Sequence, residues 1–240
     1  MFNAKQLTER SSEGASRYQL KGKKKMKKLL CIFALFITSF SQADVIVLDF
    51  EGLDDLESIG GFYNGGTSEN GNTGPNYGIE FSGNTLAIQD IDAGGSGNFG
   101  GEPSPDTVMF FLSGAEAIMN VAAGFDTGFS FFYSAVNNAG SVSVWDDIGG
   151  TGNLLATLFI AITPSDGGDP NGDFSPFFAI GVGFEGIAKS VSFAGVADQI
   201  AFDDITFGSV TPGTTPVPEP ASIAILVLGL AGCAGFRKRT

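Results

Sequence analysis

From Asp44 to Thr215 apolar residues fall in short runs, often at every second position, and no run at helical spacing is long. Val45–Phe50 ("VIVLDF") is apolar on both parities at first, as in a strand covered on both faces. Tyr77–Phe81 and Thr85–Ile88 flank a turn at Ser82-Gly83-Asn84, and Thr107–Leu112 and Gly128–Ala135 read as core strands. Ser141–Trp145 ("SVSVW") alternates, turns at Gly149–Asn153 and returns as Leu154–Ile160, which predicts a hairpin. Ser175–Gly183, Ser190–Ala194 and Ile200–Phe207 complete the series. About nine short strands separated by Gly/Asn/Asp turns predict an all-β sandwich of jelly-roll type. Ser113–Ala123 fits a short helix or another strand equally well.

One strand breaks its own pattern. In Ile200–Phe207 ("IAFDDITF") Ile200 and Phe202 share one parity, whereas Ile205 and Phe207 share the other. The slip at Asp203-Asp204 predicts a bulge or an edge, where carboxylates turn into a site. Near the opposite end of the domain, Asp49 and Glu51 in "DFEG" fall on one strand face. First and last strands of sandwiches often lie side by side, so the two acidic pairs are expected to meet. Most phenylalanines fill strand interiors as core. Trp145, Tyr63 and Tyr77 are the candidates for a sugar-stacking platform.

Both ends of the chain differ from this body. Lys21–Lys28 is a basic run, Leu29–Phe40 is apolar, and Ser41-Gln42-Ala43 follows with small outer residues. These are the three parts of a secretory signal peptide, with cleavage expected between Ala43 and Asp44 by signal peptidase after passage through the Sec translocon. Residues 26–43 form the signal, and residues 1–25 are an unusually long polar lead, so translation is expected to begin at Met26. At the other end, Val210–Pro216 reads as an extended Pro/Thr/Gly linker. Ala221–Phe236 is apolar, and Arg237, Lys238 and Arg239 follow it. Its sixteen-residue length is short for a membrane helix, covering about 24 Å against a hydrocarbon core of about 30 Å. Snorkelling basic side chains close that gap, and the basic triplet fixes a cytoplasmic end. The domain expectation is therefore a sandwich over 44–209, a linker over 210–216 and a terminal segment over 217–240 with a membrane helix at 221–236.

Charge sharpens this division. Nine of the 13 basic residues precede Leu29 and three are Arg237–Arg239, leaving Lys189 alone against 24 acids between Asp44 and Glu219. The exported part thus carries a net charge of −23 (1 − 24), against −13 for the whole chain. Such a body repels nucleic acid and anionic lipid. There is no histidine, and the two cysteines, Cys31 and Cys233, sit in the terminal apolar runs. Histidine-based triads, the usual zinc sites and disulfide stapling are excluded.

Gly95–Gly100 matches G-x-G-x-x-G in form, but Pro103-Ser104-Pro105 prevents the helix a dinucleotide site requires. Asp166–Asp173 ("DGGDPNGD") is rich in oxygen donors, yet aligned from Asp169 it has Phe174 and Ile180 where an EF-hand needs Gly and Glu. The pairs Asp49/Glu51 and Asp203/Asp204 are the better candidates for a structural Ca2+ site, centred on Glu51 and Asp204, because four carboxylates with one available cation repel unless exposed or metal-bound. Paired carboxylates also serve glycosidases, so a secreted carbohydrate-active hydrolase is the alternative reading.

Val217-Pro218-Glu219-Pro220, the apolar run and the terminal Arg237-Lys238-Arg239 together resemble the PEP-CTERM sorting signal of Gram-negative bacteria. Pro218-Glu219-Pro220 stands as the signature tripeptide. The resemblance implies recognition by an exosortase, a transient stay in the inner membrane, removal of the tail near the motif, and a place at the cell surface or in an extracellular biofilm or floc matrix. The body segments "VLDFEG", "NYGIEFSGNTLAI", "SVSVWDD…GTGNLLATL" and "IAFDDITFG" resemble the β-sandwich proteins that carry this tail. Similar jelly rolls include carbohydrate-binding modules, some with a structural calcium between first and last strands. The leading expectation is a non-enzymatic surface or matrix protein, either one that binds exopolysaccharide or a purely structural one that binds nothing specific.

Overall fold

The computed structural model describes residues 45–165 and 173–213. The expected leader, the signal peptide with its Ala43–Asp44 junction, most of the 166–173 loop, and the tail from residue 214 with Pro218, Glu219, Pro220, Arg237, Lys238 and Arg239 lie outside them. Among the described residues no helix is long and apolar enough to cross a membrane.

The described chain is all strand and loop. Eleven strands form: β1 (Ile46–Leu48), β2 (Ile79–Phe81), β3 (Thr85–Gln89), β4 (Thr107–Phe111), β5 (Glu116–Phe125), β6 (Gly128–Ser134), β7 (Gly140–Trp145), β8 (Leu154–Ile160), β9 (Phe178–Gly183), β10 (Ala188–Ala194) and β11 (Ala201–Phe207). They make two sheets, one ordered β3-β4-β11-β6-β9 with β1 also on β11, the other β2-β5-β10-β7-β8. This is the expected β-sandwich of jelly-roll type. Between the sheets packs a core rich in aromatic rings, with Phe129, Phe131, Phe193 and Phe202 meeting mostly edge to face at centroid distances of 5.0–6.2 Å.

Three strands of the first sheet are buried almost throughout: β4, β6 and β11. Their inner residues join the main core. On the outer side Val108 and Ala201 pack with Phe99, under Phe174 and Phe177, so the loops around residues 98–100 and 173–177 roof that face. The G-x-G-x-x-G segment belongs to this roof. Gly95 and Gly97 donate to the carbonyls of Asp90 and Gln89, and a Cβ on Gly97 would stand 2.2 Å from the Phe99 ring. Close packing accounts for that glycine.

Ser113–Ala123, left open between helix and strand, is part of the ten-residue β5, which is paired on both sides by β2 and β10. The turn Ser82–Asn84 does not close a hairpin. It carries the chain from one sheet to the other, tied down by Asn84 Nδ2 donating to the carbonyls of Ser113 and Glu116. The β7–β8 hairpin forms as expected, with a bulge between Val144 and Trp145.

Val210–Gly213 lies against the sandwich where the sequence predicts linker. Gly208 donates to the Gly128 carbonyl, Ser130 Oγ to the Ser209 carbonyl at 2.9 Å, and Gly213 N to Thr206 Oγ1 at 3.0 Å. A Cβ on Gly181 would stand 2.1 Å from the Val210 carbonyl oxygen, so a glycine on β9 lets this strap lie flat.

Candidate functional site

β1 and β11 pair antiparallel, with Ile46 opposite Phe207 and Leu48 opposite Ile205. This register sets Asp49–Glu51, just past the end of β1, beside Asp203–Asp204. Against β6, Asp203 faces Phe132 and Thr206 faces Ser130, so β11 spans three residues where β6 spans two. Asp204 is the extra residue of a β-bulge, at φ +47°. The bulge resets the parity, and Phe202, Ile205 and Phe207 all reach the same core.

Phe50 repeats the device on the other side of the site. Its φ is +60°, an outlier for a bulky residue. The turn sends its ring into the core, edge to face against Tyr63 at 5.9 Å, and leaves Asp49 and Glu51 outside. Its N–H donates to the Tyr63 hydroxyl at 2.7 Å.

The four acids then take different roles. Asp203 is fully buried. Its carboxyl accepts from Ser104 N at 3.0 Å and Asp204 N at 2.7 Å and lies 2.7 and 2.9 Å from Ser104 Oγ. Loss of solvation outweighs these bonds and pushes its pKa up to about 8. A neutral Asp203 completes the network, donating to Ser104 Oγ, which in turn donates to the Asp49 carbonyl at 3.1 Å.

Glu51 Oε1 accepts from the backbone N–H groups of Asp106 and Thr107, both at 3.0 Å. Partial burial still raises its pKa, and Asp106 and Asp49 add to the effect. Asp204 is half-buried, and burial followed by the charges of Asp49 and Glu51 raises it too. Asp49 is exposed.

Asp203, one of the four candidate calcium ligands, turns its oxygens inward onto Ser104. Asp49, Glu51 and Asp204 press on one another electrostatically. Even so, among the described residues no three acidic, histidine or cysteine side chains converge closely enough to hold a metal ion.

Asp49 and Glu51 line a cleft of about 270 Å³, together with Tyr63, Asn72, Thr73 and Tyr77. The long connection from β1 to β2 builds its far side. Glu57 anchors that connection by accepting from Asp54 N and Glu69 N at 2.8 and 2.7 Å. Asn72 Nδ2 donates to the Gly52 carbonyl at 3.0 Å. Gly74 lets the connection double back, since a Cβ there would stand 2.2 Å from the Phe62 carbonyl oxygen. Tyr63 and Tyr77 stack at 6.4 Å with their planes 11° apart. Tyr63 is 2 % exposed and Tyr77 41 %, so the pair grades from the core to the cleft mouth.

Two of the three aromatic candidates from the sequence thus share one wall. Trp145 does not; it lies on β7 in the other sheet, half-buried, with its indole N–H buried and unpartnered. Sequence reasoning missed Ser104, Asn72 and Thr73. Ser104 is 99 residues from Asp203, and no local pattern joins them.

Fold and cleft define an all-β sandwich with a polar, aromatic-walled site at the end where its first and last strands pair. Residues 216–239 match the family described as the PEP-CTERM protein-sorting motif. No curated protein sequence matches the chain. Among solved structures it is similar to a family 6 carbohydrate-binding module, at 17 % identity over 52 % of this chain and 82 % of that one, with a TM-score of 0.33. It is also similar to the carbohydrate-binding module of Cellvibrio mixtus lichenase 5A bound to cellotriose (12 %, 52 % and 87 %, 0.32). A third is the K3 cleaved adhesin domain of the Lys-gingipain of Porphyromonas gingivalis (14 %, 69 % and 97 %, 0.34). Superpositions this loose carry no functional inference.

Proposed function

We propose that this is an exported, non-enzymatic protein of the cell surface or extracellular matrix, sorted by an exosortase, whose sandwich binds polysaccharide in the Tyr63–Tyr77 cleft. The observation that carries the binding reading is the cleft: a stacked tyrosine pair faces amide, hydroxyl and carboxylate groups in one concavity. Aromatic faces take the apolar faces of sugar rings, and the polar groups around them take the hydroxyls. The sorting motif at 216–239 supports export. The hydrolase reading is less well supported. The acid with the most raised pKa, Asp203, is buried behind Ser104 and does not line the cleft.

Two measurements test this proposal. Mass spectrometry of the protein recovered outside the cell is expected to show a start at Asp44 and an end near Pro218–Pro220; mature protein that all retains Arg237–Thr240 overturns the sorting reading. In affinity electrophoresis through the producer's own matrix polysaccharide, Tyr77→Ala is expected to weaken retention about tenfold or more, as loss of an exposed aromatic anchor does. Tyr77 is the ring to change because it is partly exposed, whereas Tyr63 is core. Equal retention of both proteins removes the cleft from the proposal.

A further inference from the structure

The cleft has an unusual balance of groups. Its lining carries two carboxylates, Asp49 and Glu51, and no basic side chain. Asp204 stands near enough for both to act on it. Lys189, the one base between Asp44 and Glu219, is on β10, where its charge acts on Asp146. No donor among the described residues reaches Glu51 Oε2, and the Asp49 carboxylate accepts only a long 3.3 Å bond from Glu51 N.

A second observation is independent of these charges. Tyr77, 41 % exposed, stacks on the buried Tyr63, whose hydroxyl is held in place by Phe50 N. A cleft that sets an exposed tyrosine face beside free carboxylate oxygens, with no cation of its own, is suited to a ligand with an apolar ring face and a positive charge.

Resting on the carbohydrate-binding reading above, we propose that this cleft selects glycans bearing primary amines, that is, de-N-acetylated hexosamine chains, over neutral and anionic ones. An ammonium group on the sugar reaches Asp49 and Glu51, supplying the counterion that the protein lacks, in a charge-assisted hydrogen bond. Tyr77 receives the ring, and the electron-rich tyrosine faces favour a cation beside them. A bare metal ion fits less well. About 270 Å³ is near the lower end of small-ligand pockets, about 300 Å³, and the carboxylates do not converge on a point. Uronates and sulfated sugars meet carboxylate with no cation to offset it.

The experiment is calorimetric titration of the full chain, in mild detergent with a chelator, using glucosamine hexamer, N-acetylglucosamine hexamer, oligogalacturonate and a lysine hexamer. The glucosamine hexamer is expected to bind about tenfold tighter than its acetylated form, with oligogalacturonate weakest. Asp49→Asn with Glu51→Gln is expected to erase that difference, and both amides keep the backbone bonds their carboxylates accept. Tyr77→Ala is expected to weaken both hexosamine chains. If both hexosamine chains bind equally and both depend on Tyr77, the amine selection is overturned and carbohydrate binding stands. If no chain binds, both readings fall. A lysine hexamer that binds as tightly as the glucosamine hexamer, or acetylated chains that match it once calcium is added, also overturns the selection.

Discussion

Insertion of a glycine after Asp204 is expected to abolish the cooperative fold, while Asp204→Gly leaves it intact. With one residue more than the bulge absorbs, β11 stays in register with β6 past Asp203 only if Ile205 and Phe207 exchange faces with their neighbours. Both are core residues, 0 % and 3 % exposed. Turning an Ile and a Phe out of a packed core costs about 5–10 kcal/mol together, much of the 5–15 kcal/mol that holds a typical domain. The alternative, keeping both inside, breaks the pairing of β11 with β1 or β6. Glycine adopts a φ of +47° without penalty, so Asp204→Gly is expected to match the parent within about 1 kcal/mol. Thermal unfolding by circular dichroism distinguishes the two. An insertion variant that melts like the parent would show that the bulge does not set the register.

The second large effect is a stability that falls as pH rises. Unfolded, Asp203 ionises near pH 4, whereas in the fold burial raises its pKa to about 8. The folded state therefore holds a proton that the unfolded chain has lost. The stability linked to it is complete below about pH 4 and disappears as pH rises through 8. Between those limits the slope approaches about 1.4 kcal/mol per pH unit for this one group. Glu51 and Asp204, also raised, act in the same direction. Asp203→Asn keeps a neutral donor and acceptor beside Ser104 and is expected to flatten the profile between pH 5 and 8. Denaturant unfolding of both proteins across that range is the measurement. Parallel profiles would mean that Asp203 is already ionised in the fold, contrary to the expected network.

The bulge was legible because alternation is a local property: "IAFDDITF" cannot keep four apolar side chains on one face without an extra residue. The adjacency of β1 and β11 followed from sandwich topology. The state of β5 did not follow, because Ala, Met and Glu in "SGAEAIMNVAA" suit a helix as readily as a strand. Pairing with β2 and β10, remote in sequence, decides it. The turn at Ser82–Asn84 was visible in its residues, yet nothing local says that the chain changes sheets there. At the site, Asp49, Glu51, Tyr63 and Tyr77 could be named from composition and position. That Asp203 faces inward depends on Ser104 arriving from another loop.

The strap at Val210–Gly213 fixes how far the sorting motif can stand from the sandwich. Gly213 is bonded to Thr206, which bonds to the Asp204 carbonyl, and a Cβ on Gly213 would lie 3.1 Å from Asp204 Oδ2. From there five peptide steps lead to Pro218, a reach of at most about 18 Å however they are arranged. The leash is shorter than a small domain is wide. Whatever grips Pro218-Glu219-Pro220 must therefore work within about 18 Å of Gly213, which packs against the Asp204 carboxylate.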